Sequence, residues 1–424
     1  MRQRAWTLLN WLWLGAIVGI ACGSASALFL ALLERATALR TDHEELVYLL
    51  PVAGVVIGII YDRWGHSIRG GNNLVIDTIH EGRSRLPLRM APMVLIGSVL
   101  THLFGGSAGR EGTAVQMGAS LADAVAHRLR VAPEMRRKLL AAGMAGGFGS
   151  VFGTPIAGTI FGLEVLSIGR VEYDALVPAL IASLVGDHVT RGLGILHTVY
   201  PEVPNVALTP GVFAKLVVMG VAMAFATVAF VELTHRTTKL FANHIPKLPW
   251  RMFAGGILLL VMWKVVGTSD YLGLGVPTIV RAFNDPTLPR FAFALKIAFT
   301  AVTLASGFLG GEVTPLFFVG ATLGSVMARI LGLPLAFGAG MGLAAVFGAA
   351  ANTPIALSLM TVELLGAHAL PHVVIVTVIA YLLSGHRGIY PAQRLWRRKH
   401  GGDALPHPVA LRNYRSEPPK GDQP

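Results

Sequence analysis

A single cysteine, Cys22, stands among the 424 residues, which excludes an intrachain disulfide framework and a cysteine metal cluster. Charge is scarce too. Asp, Glu, Lys and Arg make up 14% of the chain, against 53% hydrophobic residues and a mean hydropathy of +0.61. A soluble domain of this size carries far more charge, so the composition is that of a polytopic membrane protein. The histidines are scattered without ligand spacing, and HEEL, from His43 to Leu46, lacks the second histidine of a zinc-protease helix. No metal site and no cofactor is expected. The first long apolar run, Trp6 to Leu33, is too long for a signal-peptide core and has no convincing small-residue cleavage site, so it reads as a retained helix.

Acidic residues are outnumbered, 23 against 35 Lys and Arg, giving a net charge of +12. The bases lie in short loops between apolar runs, at Arg83 to Arg89, Arg128 to Lys138 and Arg394 to Lys399, rather than on one soluble face. That distribution fits cytoplasmic loops beside anionic headgroups and argues against nucleic acid as a partner. Cys22 lies mid-helix and reads as a packing residue.

Apolar segments recur along the whole chain, and several fall short of the roughly 20 residues that a full crossing needs. Short, glycine-interrupted segments belong where helices break inside the membrane and aim their ends at a central cavity. An internal repeat sharpens this. The segment AGGFGSVFGTPIAGTIFGLEVL from Ala145 aligns without a gap on AAVFGAAANTPIALSLMTVELL from Ala344, pairing Phe148, Thr154, Pro155, Ile156, Ala157 and Glu164 with Phe347, Thr353, Pro354, Ile355, Ala356 and Glu363. Gly118-Ala-Ser-Leu and Gly320-Ala-Thr-Leu form a second pair. The chain thus reads as two halves, residues 1–205 and 206–395, followed by a short polar tail, 396–424. The loop after the first glycine-rich helix carries His127, Arg128, Arg130, Arg136, Arg137 and Lys138, whereas its counterpart has only Arg329. By the positive-inside rule the two loops face opposite sides, as an inverted repeat requires.

The stretch GGSAGREGTAVQMG, Gly105 to Gly118, places Arg110 and Glu111 inside an apolar region where charge is expensive. Glycines bend the backbone ahead of the pair, and Thr113 to Val125 reads as a helix whose first amides point at whatever sits beside Glu111. The blander alternative is a turn in which Arg110 and Glu111 satisfy each other. The second half offers a matching loop, GGEVTPLF, Gly310 to Phe317. Amides around Gly112, Thr113 and Ala114, and from Val313 to Leu316, suit an anion that must be held and released without a fixed cation. Thr314 adds a hydroxyl, Tyr390 a phenol, and Asn72 or Asn73 an amide, all compact donors that fit a small, strongly hydrated ion such as fluoride. For each a second reading stays open: the asparagines as turn formers, Thr314 as a helix N-cap before Pro315, Tyr390 as an interfacial anchor.

GREGT at Gly109 to Thr113, GGEVTP at Gly310 to Pro315 and the paired TPIA segments resemble the CLC family of anion channels and proton-coupled anion exchangers, over about residues 10–395. Chloride-transporting members usually read GSGIP, GREGP, GXFXP and a late tyrosine. This chain reads GGNNL at Gly70 to Leu74, GREGT, GGEVTP and GHRGIYPAQR with Tyr390, departures that resemble the fluoride-exporting branch of bacterial CLC proteins.

The resemblance implies an all-α CLC-type fold of two inverted repeats with broken membrane helices. It implies a fluoride/proton antiporter rather than an enzyme, a homodimer with one pathway per subunit, and an inner-membrane location with cytoplasmic termini. The alternative within the family is a chloride or mixed-anion exchanger or channel. Glu111 is implied as the gating glutamate that competes with the anion, and Glu312 as a residue supporting proton coupling. A salt bridge of Glu312 with Arg110 or another base is the competing reading. Glu164 and Glu363, kept at one position of both halves, read as structural groups bonding to amides of broken helices. Chloride exchangers carry an inner proton-relay glutamate beside the first of these, where this chain has Val165, so the proton route must differ. After about Arg397 the chain turns polar and proline-rich and reads as a disordered end.

Overall fold

The computed structural model describes residues 2–82, 85–401 and 404–416; Arg83 and the last residues of the polar tail lie outside them. The first half contains α1 (Arg2–Asp42), α2 (Leu50–Trp64), α3 (Gly71–Glu81), α4 (Met90–Leu103), α5 (Glu111–Arg128), α6 (Pro133–Phe152), α7 (Pro155–Glu164), the two-residue strand β1 (Ser167–Ile168) and α8 (Leu176–Gly192). The second contains α9 (Pro210–His244), α10 (Leu248–Val266), α11 (Val276–Arg281), α12 (Ala292–Ser306), α13 (Val313–Leu331), α14 (Leu335–Ala351), α15 (Pro354–Leu365) and α16 (Leu370–Leu383). The chain closes with β2 (Arg394–Arg397), β3 (Ala404–Ala410) and α17 (Leu411–Ser416). Among the described residues five stretches are long and apolar enough to cross a bilayer: Leu8–Asp42, Glu44–Trp64, Pro210–His244, Leu248–Val266 and Val313–Leu331. By contrast α7 and α15, of 10 and 12 residues, end partway through.

The breaks follow from local chemistry. Gly153, in the left-handed region at φ 76°, stops α6, and Pro155 at the first helical position starts α7. Asn352 at φ 57° and Pro354 do the same between α14 and α15. Thr154 and Thr353 hold the N-cap positions, yet neither hydroxyl bonds to its helix. The capping comes from the opposite half. Glu164, at the end of α7, accepts from the amides of Ile355 (3.1 Å) and Ala356 (2.8 Å) at the start of α15. Glu363 accepts from Ile156 (2.9 Å) and Ala157 (2.7 Å) at the start of α7. Each carboxylate sits at a positive helix end and satisfies two amides that no lipid could satisfy. The start of each helix meets the end of its mate, so the two run antiparallel and the repeats are inverted.

Small residues let the broken helices pack tightly. A Cβ on Gly118 of α5 would stand 2.1 Å from the Gly143 carbonyl of α6, and one on Gly320 of α13 would stand 2.1 Å from the Gly342 carbonyl of α14. This backbone-to-backbone contact is the usual solution in lipid, where burial of apolar surface does not drive helices together. Cys22 packs at the first of these contacts, with Sγ 3.7 Å from the Gly143 carbonyl.

Residues 404–416 of the polar segment form a strand and a helix, β3 and α17, where the sequence reading expected disorder. β2 pairs parallel with β1 and antiparallel with β3. Ile168, Leu395, Leu411 and Tyr414 form a small apolar cluster beneath. Arg394 and Arg412 converge on Asp77 of α3 at 3.1 and 2.9 Å, while Arg387 (3.0 Å) and Arg415 pair with Glu232 of α9. The few apolar residues were hidden among prolines and charges, and their burial becomes possible only against β1 and the helix ends. This strap shares its face with the basic loop of Arg136 and Arg137, which bond to Asp123 (2.6 Å) and to the Ile79 carbonyl (2.9 Å).

Candidate functional site

The two glycine-rich loops are joined back to back. Gly109 and Gly311 form a two-residue antiparallel bridge, Gly109 donating to the Gly311 carbonyl at 2.6 Å and Gly311 to the Gly109 carbonyl at 2.8 Å. A Cβ on Gly109 would lie 2.9 Å from both a Glu111 carboxylate oxygen and the Thr314 amide nitrogen, so only glycine leaves room there. The bridge sets the first turns of α5 and α13 on either side of one small space.

Glu111 fills that space. Its side chain is fully buried, and its carboxylate receives the Thr314 hydroxyl at 2.6 and 2.7 Å, the Thr314 amide at 3.1 Å and the Arg110 amide at 3.1 Å. These donors come from both halves, and all could serve a small anion in place of the carboxylate. Arg110 Nε stands 3.5 Å from Glu111 Oε1 without forming a hydrogen bond. The two therefore do not simply satisfy each other: the backbone and Thr314 supply the hydrogen bonds to the carboxylate, and the Arg110 side chain adds only its charge.

The expected ligands are placed unequally. Gly112, Thr113 and Val313 lie in first turns, where no helical carbonyl precedes their amides. Ala114 does not belong with them, because its N–H donates to the Arg110 carbonyl at 3.2 Å as an ordinary helical bond. The Leu316 amide is taken likewise by the Glu312 carbonyl at 3.0 Å. The Thr113 hydroxyl is paired with Ser98 at 2.6 Å, leaving only its amide for an anion. Thr314 is not the N-cap of α13; Glu312 holds that position, and the threonine hydroxyl is aimed at Glu111.

Asn72 is buried near Gly112, where a Cβ would come within 3.1 Å of its amide nitrogen, and its carbonyl oxygen has no partner. Its neighbour Asn73 accepts from the Ala392 amide at 3.0 Å and so ties the loop carrying Tyr390 to α3. Tyr390 is buried, not an interfacial anchor, and lies within electrostatic reach of Glu312 and Glu111. Among the described residues the carboxylate beside Arg110 is that of Glu111 and not that of Glu312.

Sequence reasoning missed Gln393. Its buried side-chain amide donates to the carbonyls of Val165 (2.9 Å) and Ala351 (2.8 Å), the ends of α7 and α14, and accepts from Asn352 at 2.9 Å. Its own N–H donates to the Tyr390 carbonyl at 3.0 Å. The residue that positions the tyrosine thus also binds the carbonyl of Val165. Nothing in the local sequence signals this, since the partners lie far away along the chain.

Residues 53–385 match the family described as voltage gated chloride channel. The chain belongs to the CLC family. It is 46% identical over 414 residues to a chloride/fluoride channel protein of Pseudomonas syringae pv. tomato, an alignment covering 96% of this chain and 91% of that protein. The crystal structure of a CLC-type fluoride/proton antiporter superposes with a TM-score of 0.89 at 36% identity, over 92% of this chain and 98% of that one. A slow cyanobacterial Cl−/H+ antiporter shares the fold, with a TM-score of 0.76 at 18% identity over 88% and 94% of the two chains. This CLC protein is accordingly an all-α membrane protein of two inverted repeats, and its family is one of transporters.

Proposed function

We propose that this CLC protein is a fluoride/proton antiporter that expels fluoride from the cytoplasm, with Glu111 competing for the anion's own site. One observation carries the reading: the Glu111 carboxylate rests on the Thr314 hydroxyl and amide and on the Arg110 amide, a set of donors drawn from both halves. An ionised carboxylate there excludes the anion. Protonation removes the charge that holds it, the side chain withdraws, and an anion takes over the donors. Anion and proton therefore exchange places. Fluoride suits this space because hydroxyl and amide donors replace its hydration at short range. The inward proton gradient then drives export of fluoride that entered as hydrogen fluoride and was trapped by dissociation at neutral pH.

Glu312 is proposed as the second proton-handling carboxylate, since the inner relay position holds Val165, and Tyr390 and Asn72 as further anion contacts. We place the strap and the basic loops on the cytoplasmic side of the inner membrane by the positive-inside rule. A homodimer with one pathway per subunit completes the family reading. The name of the Pseudomonas relative favours a second reading, a passive chloride/fluoride channel.

Proton movement separates the two. Purified protein in fluoride-loaded liposomes, with voltage clamped by potassium and valinomycin, should couple fluoride efflux to uphill proton uptake. In Glu111→Gln, fluoride should still pass while proton movement disappears. Fast flux without protons in the wild type would make the protein a channel. Undiminished proton movement in Glu111→Gln would remove Glu111 from the gate.

A further inference from the structure

The loop between α8 and α9 meets the site from the side opposite the strap, since α9 crosses the molecule from Pro210 to Glu232 and Glu232 holds the strap. Within it the side chains alternate. Leu196 and Val199 are almost fully exposed, at 94% and 86%, while His197 and Tyr200 turn inward. Arg110 Nη2 lies 3.5 Å from the Thr198 hydroxyl, and Tyr200 is within electrostatic reach of both Arg110 and Glu111. The loop therefore bears on the arginine that stands beside the gate.

His197 is the titratable group of this contact. Its Nε2 lies 2.9 Å from the Ser150 carbonyl, which only accepts, so Nε2 carries the proton of the neutral ring. Nδ1 is then a buried lone pair, and it has no donor. The charged groups facing the ring are Asp187 and Arg191 of α8 and Arg110 of the glycine loop. Asp187 Oδ1 stands 4.0 Å from Nε2 but already pairs with Arg191 at 2.9 Å. From α6 the ring meets the Ser150 carbonyl and lies against Gly153, beside the cap where Glu363 binds α7.

We propose that His197 is a positioning residue for Glu111: on gaining a proton from the outer solution, the imidazolium repels Arg110 and loosens its hold beside the carboxylate. The inference rests on the antiporter reading above. With His197 neutral, Arg110 stays between Thr198 and Glu111, 3.5 Å from each, and its charge favours the seated carboxylate. With His197 charged, the carboxylate loses part of that support and leaves the anion's place more readily. Burial and the two arginines hold the imidazole's basicity below its ordinary value, with Asp187 and the Ser150 carbonyl acting the other way. The change thus belongs to acid outside, where the inward proton gradient is steepest. Two protonations then act in series, one on His197 and one on Glu111, and exchange should depend on outer pH more steeply than one carboxylate allows.

The test is fluoride/proton exchange in liposomes with inner pH fixed and outer pH varied from 7.5 to 5, for wild type, His197→Gln and Thr198→Val. Glutamine keeps a donor for the Ser150 carbonyl and cannot charge. The expected result is a shallower outer-pH profile and several-fold slower exchange at pH 5 in His197→Gln, with the inner-pH profile unchanged. Thr198→Val, which frees Arg110 from the loop, should do the reverse and speed exchange at pH 7.5. Superimposable outer-pH profiles for wild type and both variants would overturn the proposal while leaving the antiporter standing. Should His197→Gln fail to fold, Thr198→Val decides alone, an unaltered profile counting against the proposal. A wild type that moves no protons would overturn both the proposal and the reading it rests on.

Discussion

The Thr314 hydroxyl is the sharpest discriminator at the scale of a residue, because it contacts both oxygens of Glu111 at 2.6 and 2.7 Å. A hydrogen bond to a charged group is worth about 1.5–3 kcal/mol net, so its loss weakens whichever anion occupies the space. The carboxylate and the transported ion lose alike, and much of the effect cancels in the exchange rate. It does not cancel between ions. Fluoride depends more than chloride on a short, strong donor to replace its water. Thr314→Val should therefore lower the fluoride-to-chloride ratio by about tenfold, roughly the worth of one such donor at 1.4 kcal/mol per decade, with a smaller change in maximal rate. Paired efflux assays with fluoride and chloride electrodes measure both, and an unchanged ratio would take the hydroxyl out of the selectivity site. Thr314 also marks how far sequence reaches. The hydroxyl in a glycine-broken loop was visible, but its choice of Glu111 over its own helix depends on the bridge between Gly109 and Gly311, which lie far apart in the chain.

At the scale of an element, the crossed capping of α7 and α15 holds the two halves in register. Glu164 and Glu363 each satisfy two amides at a positive helix end inside the membrane region. Loss of one carboxylate leaves two helix-end amides unpaired, a penalty of up to about 1–3 kcal/mol for each where neither water nor lipid replaces the acceptor. Glu164→Ala and Glu363→Ala should each lower stability by several kcal/mol, and Glu→Gln by less, since the amide oxygen still accepts. Because both carboxylates act on one antiparallel helix pair, the double alanine variant should fall short of the sum of the single losses. Thermal or denaturant unfolding in detergent reads this, and full additivity would mean that the two caps act independently. The structural role of this pair was legible, because the repeat keeps both glutamates at the same place. The reciprocity was not, for it required knowing that the mates run antiparallel.

On the scale of the whole molecule, the strap closes the chain across both halves near the loop that carries Tyr390. The Leu411 amide donates to the Gln393 carbonyl at 2.8 Å and the Arg412 amide to the Pro391 carbonyl at 2.9 Å, so the start of α17 holds the turn that follows the tyrosine. Arg412 reaches back to α3 through Asp77 and Arg415 to α9 through Glu232. Both carboxylates are partly exposed, and pairs of that kind contribute at most about 1 kcal/mol each. Their importance lies in where they attach. Tyr390 feels the charges of Glu312 and Glu111, and a turn free to move would let anions pass without a proton. Deletion of residues 404–424 should therefore lower the unfolding midpoint, by uncovering Ile168 and Leu395, and raise the fluoride moved per proton at least twofold. Arg412→Gln with Arg415→Gln should reproduce the slippage with much less loss of stability. A tail-deleted protein that keeps the wild-type ratio would reduce the strap to a cover for the apolar cluster, and Asn73 and Gln393 would then be sufficient to hold the tyrosine in place.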